Sequence, residues 1–125
     1  MTLRHLAVTS AVCTLAALGL AGCGSSSSSS STSPSTTGPQ ISIVNGASLL
    51  TTTAFSPNPM NVSVGGSVTW VNNDTTTHDA RADNGSFDTG NIAARSSATV
   101  KFSTAGTFTY KCTIHPNMVA SIVVQ

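Results

Sequence analysis

Charge is nearly absent from this chain: among 125 residues, Lys and Arg number five and Asp and Glu four. The few charges are scattered and no basic stripe forms, which excludes a nucleic-acid surface built on clustered Lys and Arg. Long apolar runs are lacking as well. The one sustained stretch, from Leu6 to Leu20, is about fifteen residues, shorter than the ~20 a spanning helix needs. Cysteine is confined to Cys13, Cys23 and Cys112, too few for a disulfide framework. Over residues 40–125 no convincing helical period runs for a dozen residues, which argues against a helical bundle.

What the N-terminus does contain is an export signal. Arg4 and His5 open a short polar segment and the uncharged run to Leu20 follows, the n-region and h-region of a secretory signal. Leu20-Ala21-Gly22-Cys23 resembles the bacterial lipobox cut by signal peptidase II. That resemblance implies a lipoprotein signal peptide over residues 1–22, with Cys23 as the new N-terminus and lipid carrier, anchored without a spanning helix. Residues 23–39 then comprise the lipidated Cys23 and a Ser-rich tether, "GSSSSSSSTSPSTTGP", with almost nothing apolar to bury. Such a coil spans ~20 to 25 Å. The expected location is a bacterial membrane surface, with the domain facing periplasm or cell exterior.

The fold is expected over residues 40–125 and to be all-β. "ISIV", "MNVSV", "SVTWV", "ATVKF", "TFTYKC" and "ASIVV" are short and rich in Val, Ile, Thr and aromatics. Asn45-Gly46, Gly65-Gly66, Asn84-Gly85, Thr89-Gly90 and Ala105-Gly106 punctuate them as turns. This spacing predicts an antiparallel sandwich or small barrel. Alternation puts Phe108, Tyr110 and Cys112 on an inner face, because Lys111 marks the other as wet. Val64, Val68 and Trp70 are core candidates by the same rule, joined by Phe55, Phe102, Ile114 and Ile122. Met60 reads as a packing residue, and Asp74, Asp83 and Asp88 as turn residues.

Once the signal is removed, the chain keeps two histidines, His78 and His115, two methionines, Met60 and Met118, and one thiol besides Cys23, that of Cys112. In "YKCTIHPNM" the spacing C-x2-H-x2-M curls three donors around a point at the end of a strand. His78, well upstream after "SVTWV", is the remaining donor. Two imidazoles, a thiolate and a weak thioether form the donor set of a blue copper site. Zinc also takes nitrogen and sulfur, but its structural sites use more thiolates and no Met.

Here the sequence resembles the cupredoxins, especially plastocyanins and amicyanins. The matching parts are "FSPNPMNVSVGGSVTWVNND", His78, "SFDTG" and "GTFTYKCTIHPNM", and the short loop with Pro116 directly after His115 is most like amicyanin. The resemblance implies a Greek-key β-sandwich and one copper. Its equatorial ligands would be His78, Cys112 and His115, and Met118 would be axial. Where many members carry Asn after the first histidine, this chain has Asp79, which is expected to accept a hydrogen bond from Thr113.

The function expected is one-electron transfer between redox partners at the cell envelope, through the outward edge of His115 beside Pro116 and Asn117. The alternative is a copper-binding or copper-delivery lipoprotein with the same ligands. Catalysis by this chain alone is not expected, since no histidines remain for further copper centres. Expected partners are transient redox proteins and, through Cys23, the membrane. The domain is expected to be monomeric.

Overall fold

The computed structural model describes residues 38–125. The expected signal peptide, the lipidation position Cys23 and the tether up to residue 37 lie outside the described residues. Among the described residues eight strands follow one another: β1 (Gln40–Ile43), β2 (Phe55–Ser56), β3 (Met60–Val62), β4 (Ser67–Asn72), β5 (Arg81–Ala82), β6 (Ser97–Lys101), β7 (Gly106–Lys111) and β8 (Val119–Val124). A single 3-10 turn, Ala47–Leu49, interrupts them. They form two four-stranded sheets, ordered β2-β1-β4-β6 and β3-β8-β7-β5, packed as a β-sandwich of the expected class.

The expectation of antiparallel sheets needs correction, since β1 pairs with β4 and β3 with β8 in parallel. Between β1 and β4 the chain crosses into the other sheet to lay down β3 and then returns, so the two neighbours run the same way. This pairing has a consequence for the ends of the sandwich. β1 and β4 finish side by side at Ile43 and Asn72, and both lead into loops at that end.

Alternation along β4 buries Val68, Trp70 and Asn72, and along β7 it buries Tyr110. Trp70 sits at the centre, with ring centroids 5.6 Å from Phe87, 5.7 Å from Tyr110 and 6.5 Å from Phe102. Its indole N–H reaches the Tyr110 hydroxyl at 3.4 Å, which gives the buried polar end a partner. Aromatic side chains buried this deeply cost about 3–5 kcal/mol when cut to Ala. Phe55, Phe102, Ile122 and Met60 are buried with them.

Two core candidates are not in the core. Val64 is 50% exposed and Ile114 46% exposed. β3 ends at Val62, and the chain turns at Gly65, whose φ of 84° is left-handed, so the pleat that would have buried Val64 has stopped. Ile114 lies beyond the end of β7 in the loop that follows Cys112, where alternation no longer applies.

Candidate metal centre

Strand β5 explains how two distant segments meet. It pairs antiparallel with β7, Arg81 opposite Lys111 and Ala82 opposite Tyr110. Continued two residues outward, this register sets Asp79 opposite Thr113, with His78 just beyond. Two backbone bonds fix His78 from its other side: its N–H donates to Ile92 O at 3.1 Å, and the Ile92 N–H returns to His78 O at 2.7 Å.

The segment leading to His78 is folded by its own polar side chains. Asn72 continues the inward face of β4 and is fully buried. Its amide donates to Thr76 O at 2.8 Å and Ile92 O at 2.9 Å, and its side-chain oxygen accepts from the Asp74 N–H at 2.9 Å. A buried amide that makes all these bonds holds a turn that no apolar residue can hold.

On the other side, Cys112 is the first residue past β7, and its N–H donates to Met118 O at 3.1 Å. The Met118 N–H in turn donates to His115 O at 3.0 Å, which closes the C-x2-H-x2-M loop on itself. Cys112 and Met118 are completely buried; His115 is half-buried.

The result is a triangle of donors. Cys112 Sγ lies 3.8 Å from His78 Nδ1 and 3.9 Å from His115 Nδ1, and the two Nδ1 atoms are 3.2 Å apart. Donors that share one first-row ion at about 2.0–2.3 Å stand ~3.2–3.9 Å from one another, so the triangle fits an ion of this kind. Among the described residues these three form the one His/Cys/Asp/Glu cluster able to hold a metal. Cys112 is a free thiol, and burial pushes it above its ordinary range. A cation beside it supplies the charge its thiolate form needs.

Two carboxylates flank the triangle. Asp79 Oδ1 accepts the Thr113 N–H at 2.6 Å and Oδ2 accepts the Thr113 hydroxyl at 2.5 Å, which ties the His78 segment to the Cys112 loop. Burial works to raise the Asp79 carboxyl, but hydrogen bonds from the side chains of Thr113 and Cys112 and from the backbone outweigh it, and the group stays below its ordinary value. The second carboxylate is Asp74, expected only as a turn residue. It is buried, and its Oδ2 lies 2.9 Å from His78 Nε2, on the ring edge opposite the triangle. Burial opposes its ionisation as well, yet bonds from His78 and from the backbone N–H groups of Gly46 and Thr75 hold it well below the ordinary carboxylate range. The signal in the sequence was the Asp-x-x-x-His spacing of "DTTTH". It is indistinct there because Asp is also a common turn residue.

Comparison with known proteins agrees with the donor set. Residues 43–125, about two thirds of the chain, match the model of copper binding proteins of the plastocyanin/azurin family. The chain belongs to that family. Among solved structures, this cupredoxin is similar to a purple cupredoxin from Nitrosopumilus maritimus, with 29% identity and a TM-score of 0.64 over 70% of this chain and 99% of the other. It shares its fold with a Cu(I) amicyanin variant at 23% identity and TM-score 0.60, covering 71% of this chain and 83% of that one. An oxidised amicyanin variant gives 22% identity and TM-score 0.60, over 70% and 82% of the two chains. No curated protein matches the sequence. Family and donor chemistry together assign this cupredoxin copper as its cofactor, one per chain.

Proposed function

We propose that the chain is a type 1 copper protein acting as a one-electron carrier between redox partners at the bacterial cell envelope. The observation that carries this reading is the convergence of Cys112 Sγ, His78 Nδ1 and His115 Nδ1, 3.2 to 3.9 Å from one another. In this reading the three would hold copper, and Met118, buried and bonded into the same loop, would add a weak thioether donor. Bound copper contributes the one-electron Cu(II)/Cu(I) couple. The chain contributes a donor arrangement braced from two sheets, which limits rearrangement during transfer.

Electrons enter and leave by the outward edge of His115. That ring is half-buried, and Ile114, Pro116 and Asn117 around it are exposed, a small uncharged contact suited to a transient redox protein. The chain works as a monomer and performs no catalysis of its own. In this reading the chain is exported and held at a bacterial membrane by lipid on Cys23; the support is the resemblance of Leu20-Ala21-Gly22-Cys23 to a lipobox.

The test is the visible absorption and EPR spectrum of the purified chain with one equivalent of Cu(II). An intense thiolate-to-copper band with narrow copper hyperfine splitting is expected. A colourless protein, or ordinary tetragonal Cu(II), overturns the assignment.

A further inference from the structure

We propose that Asn84 is a modification site: its side-chain amide is hydrolysed without an enzyme, through a cyclic imide closed by the backbone nitrogen of Gly85. The other Asn-Gly pair of the chain is protected from the same reaction by the fold.

Asn-Gly is the pair in which this ring closes most readily, because glycine has no side chain to hinder its own peptide nitrogen. The chain carries two such pairs, Asn45-Gly46 and Asn84-Gly85. Both glycines have left-handed backbones, φ 75° at Gly46 and 73° at Gly85, so both pairs form turns of the kind this dipeptide favours. What differs is the acceptor that holds each glycine N–H.

The Gly46 N–H donates to Asp74 Oδ1 at 3.1 Å, and the Ala47 N–H beside it to Oδ2 at 3.1 Å. Asp74 is buried, and its hydrogen bonds keep it ionised. Ring closure requires the glycine nitrogen to give up its proton and turn its lone pair on the asparagine side chain. At Gly46 that step sets a developing negative nitrogen against a fixed carboxylate and forfeits a charge-assisted bond. The Gly85 N–H donates instead to the neutral Ala82 O at 3.0 Å, in a hairpin tip where Asp83, Asn84, Gly85 and Ser86 are all exposed. Asn84 Oδ1 accepts the Ser86 N–H at 3.0 Å, which folds the side chain back over the Gly85 peptide and draws electron density from Cγ.

The reaction needs only water. The Gly85 nitrogen bonds to Asn84 Cγ as the Cγ–Nδ2 bond breaks, and Nδ2 leaves as ammonia with the proton from Gly85. Water then opens the ring and returns a proton to the Gly85 nitrogen. Attack at Cγ gives aspartate at this position; attack at the backbone carbonyl carbon gives isoaspartate, with the main chain rerouted through the side chain. Either product sets a new carboxylate beside Asp83, whose Oδ1 lies 3.5 Å from Lys111 Nζ. The tip lies apart from the metal centre: Ala82 pairs with Tyr110 and the Asp83 N–H donates to Thr109 O, so the chain there runs back along β7, away from Cys112.

The experiment incubates the purified chain in mildly alkaline buffer, once folded and once in denaturant, and follows each asparagine by peptide mass spectrometry. Trypsin releases Ala82–Arg95, which carries Asn84. In the folded chain Asn84 is expected to convert to a mixture of aspartate and isoaspartate about tenfold faster than Asn45 or more, the difference between a neutral and a charged acceptor. In denaturant the two rates are expected to converge. Asn84→Gln, whose longer side chain closes the ring far more slowly, is expected to remove the acidic form that ion exchange resolves from the aged wild type. Equal rates at Asn45 and Asn84 in the folded chain overturn the proposal. So does a folded chain that keeps the Asn84 amide over the time in which the denatured chain loses it, and so does a product that is aspartate alone, which marks direct hydrolysis without the ring.

Discussion

Asp79 and Thr113, 34 residues apart, are joined by two hydrogen bonds at 2.6 and 2.5 Å that clamp the His78 segment to the Cys112 loop. Hydrogen bonds to an ionised carboxylate are stronger than those between neutral groups. The same clamp therefore sets a negative charge beside the proposed copper ligands.

That charge has a direction of effect. A carboxylate favours the more positive oxidation state of the ion beside it, so it stabilises Cu(II) over Cu(I) and lowers the reduction potential. Asp79→Asn removes the charge and keeps an acceptor for the Thr113 N–H. Voltammetry of the variant is expected to show a higher potential with the blue spectrum retained; an unchanged potential refutes the electrostatic role.

Acid sensitivity of the metal-free fold follows from the same groups. Asp74 and Asp79 both have carboxyls lowered by the fold from an ordinary value of 3.8. The unfolded chain therefore binds their protons more readily than the native one. Their contribution to stability is fully present above about pH 4 and is lost as the pH falls through the native values. Thermal melts of the metal-free chain are expected to fall steeply below pH 4. Asp79→Asn, with one such group fewer, is expected to show a shallower decline over that window. Parallel curves for the two proteins would mean that Asp79 is not linked to folding.

Much of this architecture was legible before the structure because local rules govern it. The inward face of β7 follows from a two-residue period with Lys111 marking the wet side, and Tyr110 and Cys112 are buried accordingly. The C-x2-H-x2-M spacing is also local, and its loop closes through its own backbone bonds. What escaped was non-local. The parallel pairing of β1 with β4 depends on a crossover between sheets, which no residue pattern announces. Val64 and Ile114 escape the two-residue period because it stops with β3 and β7. In the sequence Asp74 resembles any turn residue, because its partners at Gly46 and Ala47 are 28 and 27 residues away.

The proposed donor role of Met118 is separable from packing by substitution. It is fully buried, so Leu, of similar volume, is tolerated at a cost below about 1.5 kcal/mol. Leu offers no lone pair, and the axial donor is one of the means by which such sites tune their potential. Loss of a donor weakens Cu(II) more than Cu(I). Met118→Leu is expected to stay blue, fold as the wild type does, and show a higher potential. A wild-type potential in a folded, blue variant would return Met118 to a packing role.

The carrier and delivery readings share every ligand, so only kinetics separates them. A carrier needs copper held through many electron exchanges, and the bracing of this site favours retention: His78 is bound to Ile92 and Asp74, Cys112 to Met118, and Thr113 to Asp79. Release would require several buried hydrogen bonds to open together, each worth about 0.5–1.5 kcal/mol and more where a charge takes part. Electron exchange requires only that another molecule approach the half-buried edge of His115. Mixing the copper-loaded chain with a metal-free copper protein is therefore expected to leave copper in place for hours, while NMR line broadening in a mixture of Cu(I) and Cu(II) forms reports rapid self-exchange. Copper transfer within seconds, with slow self-exchange, would replace the carrier reading with delivery.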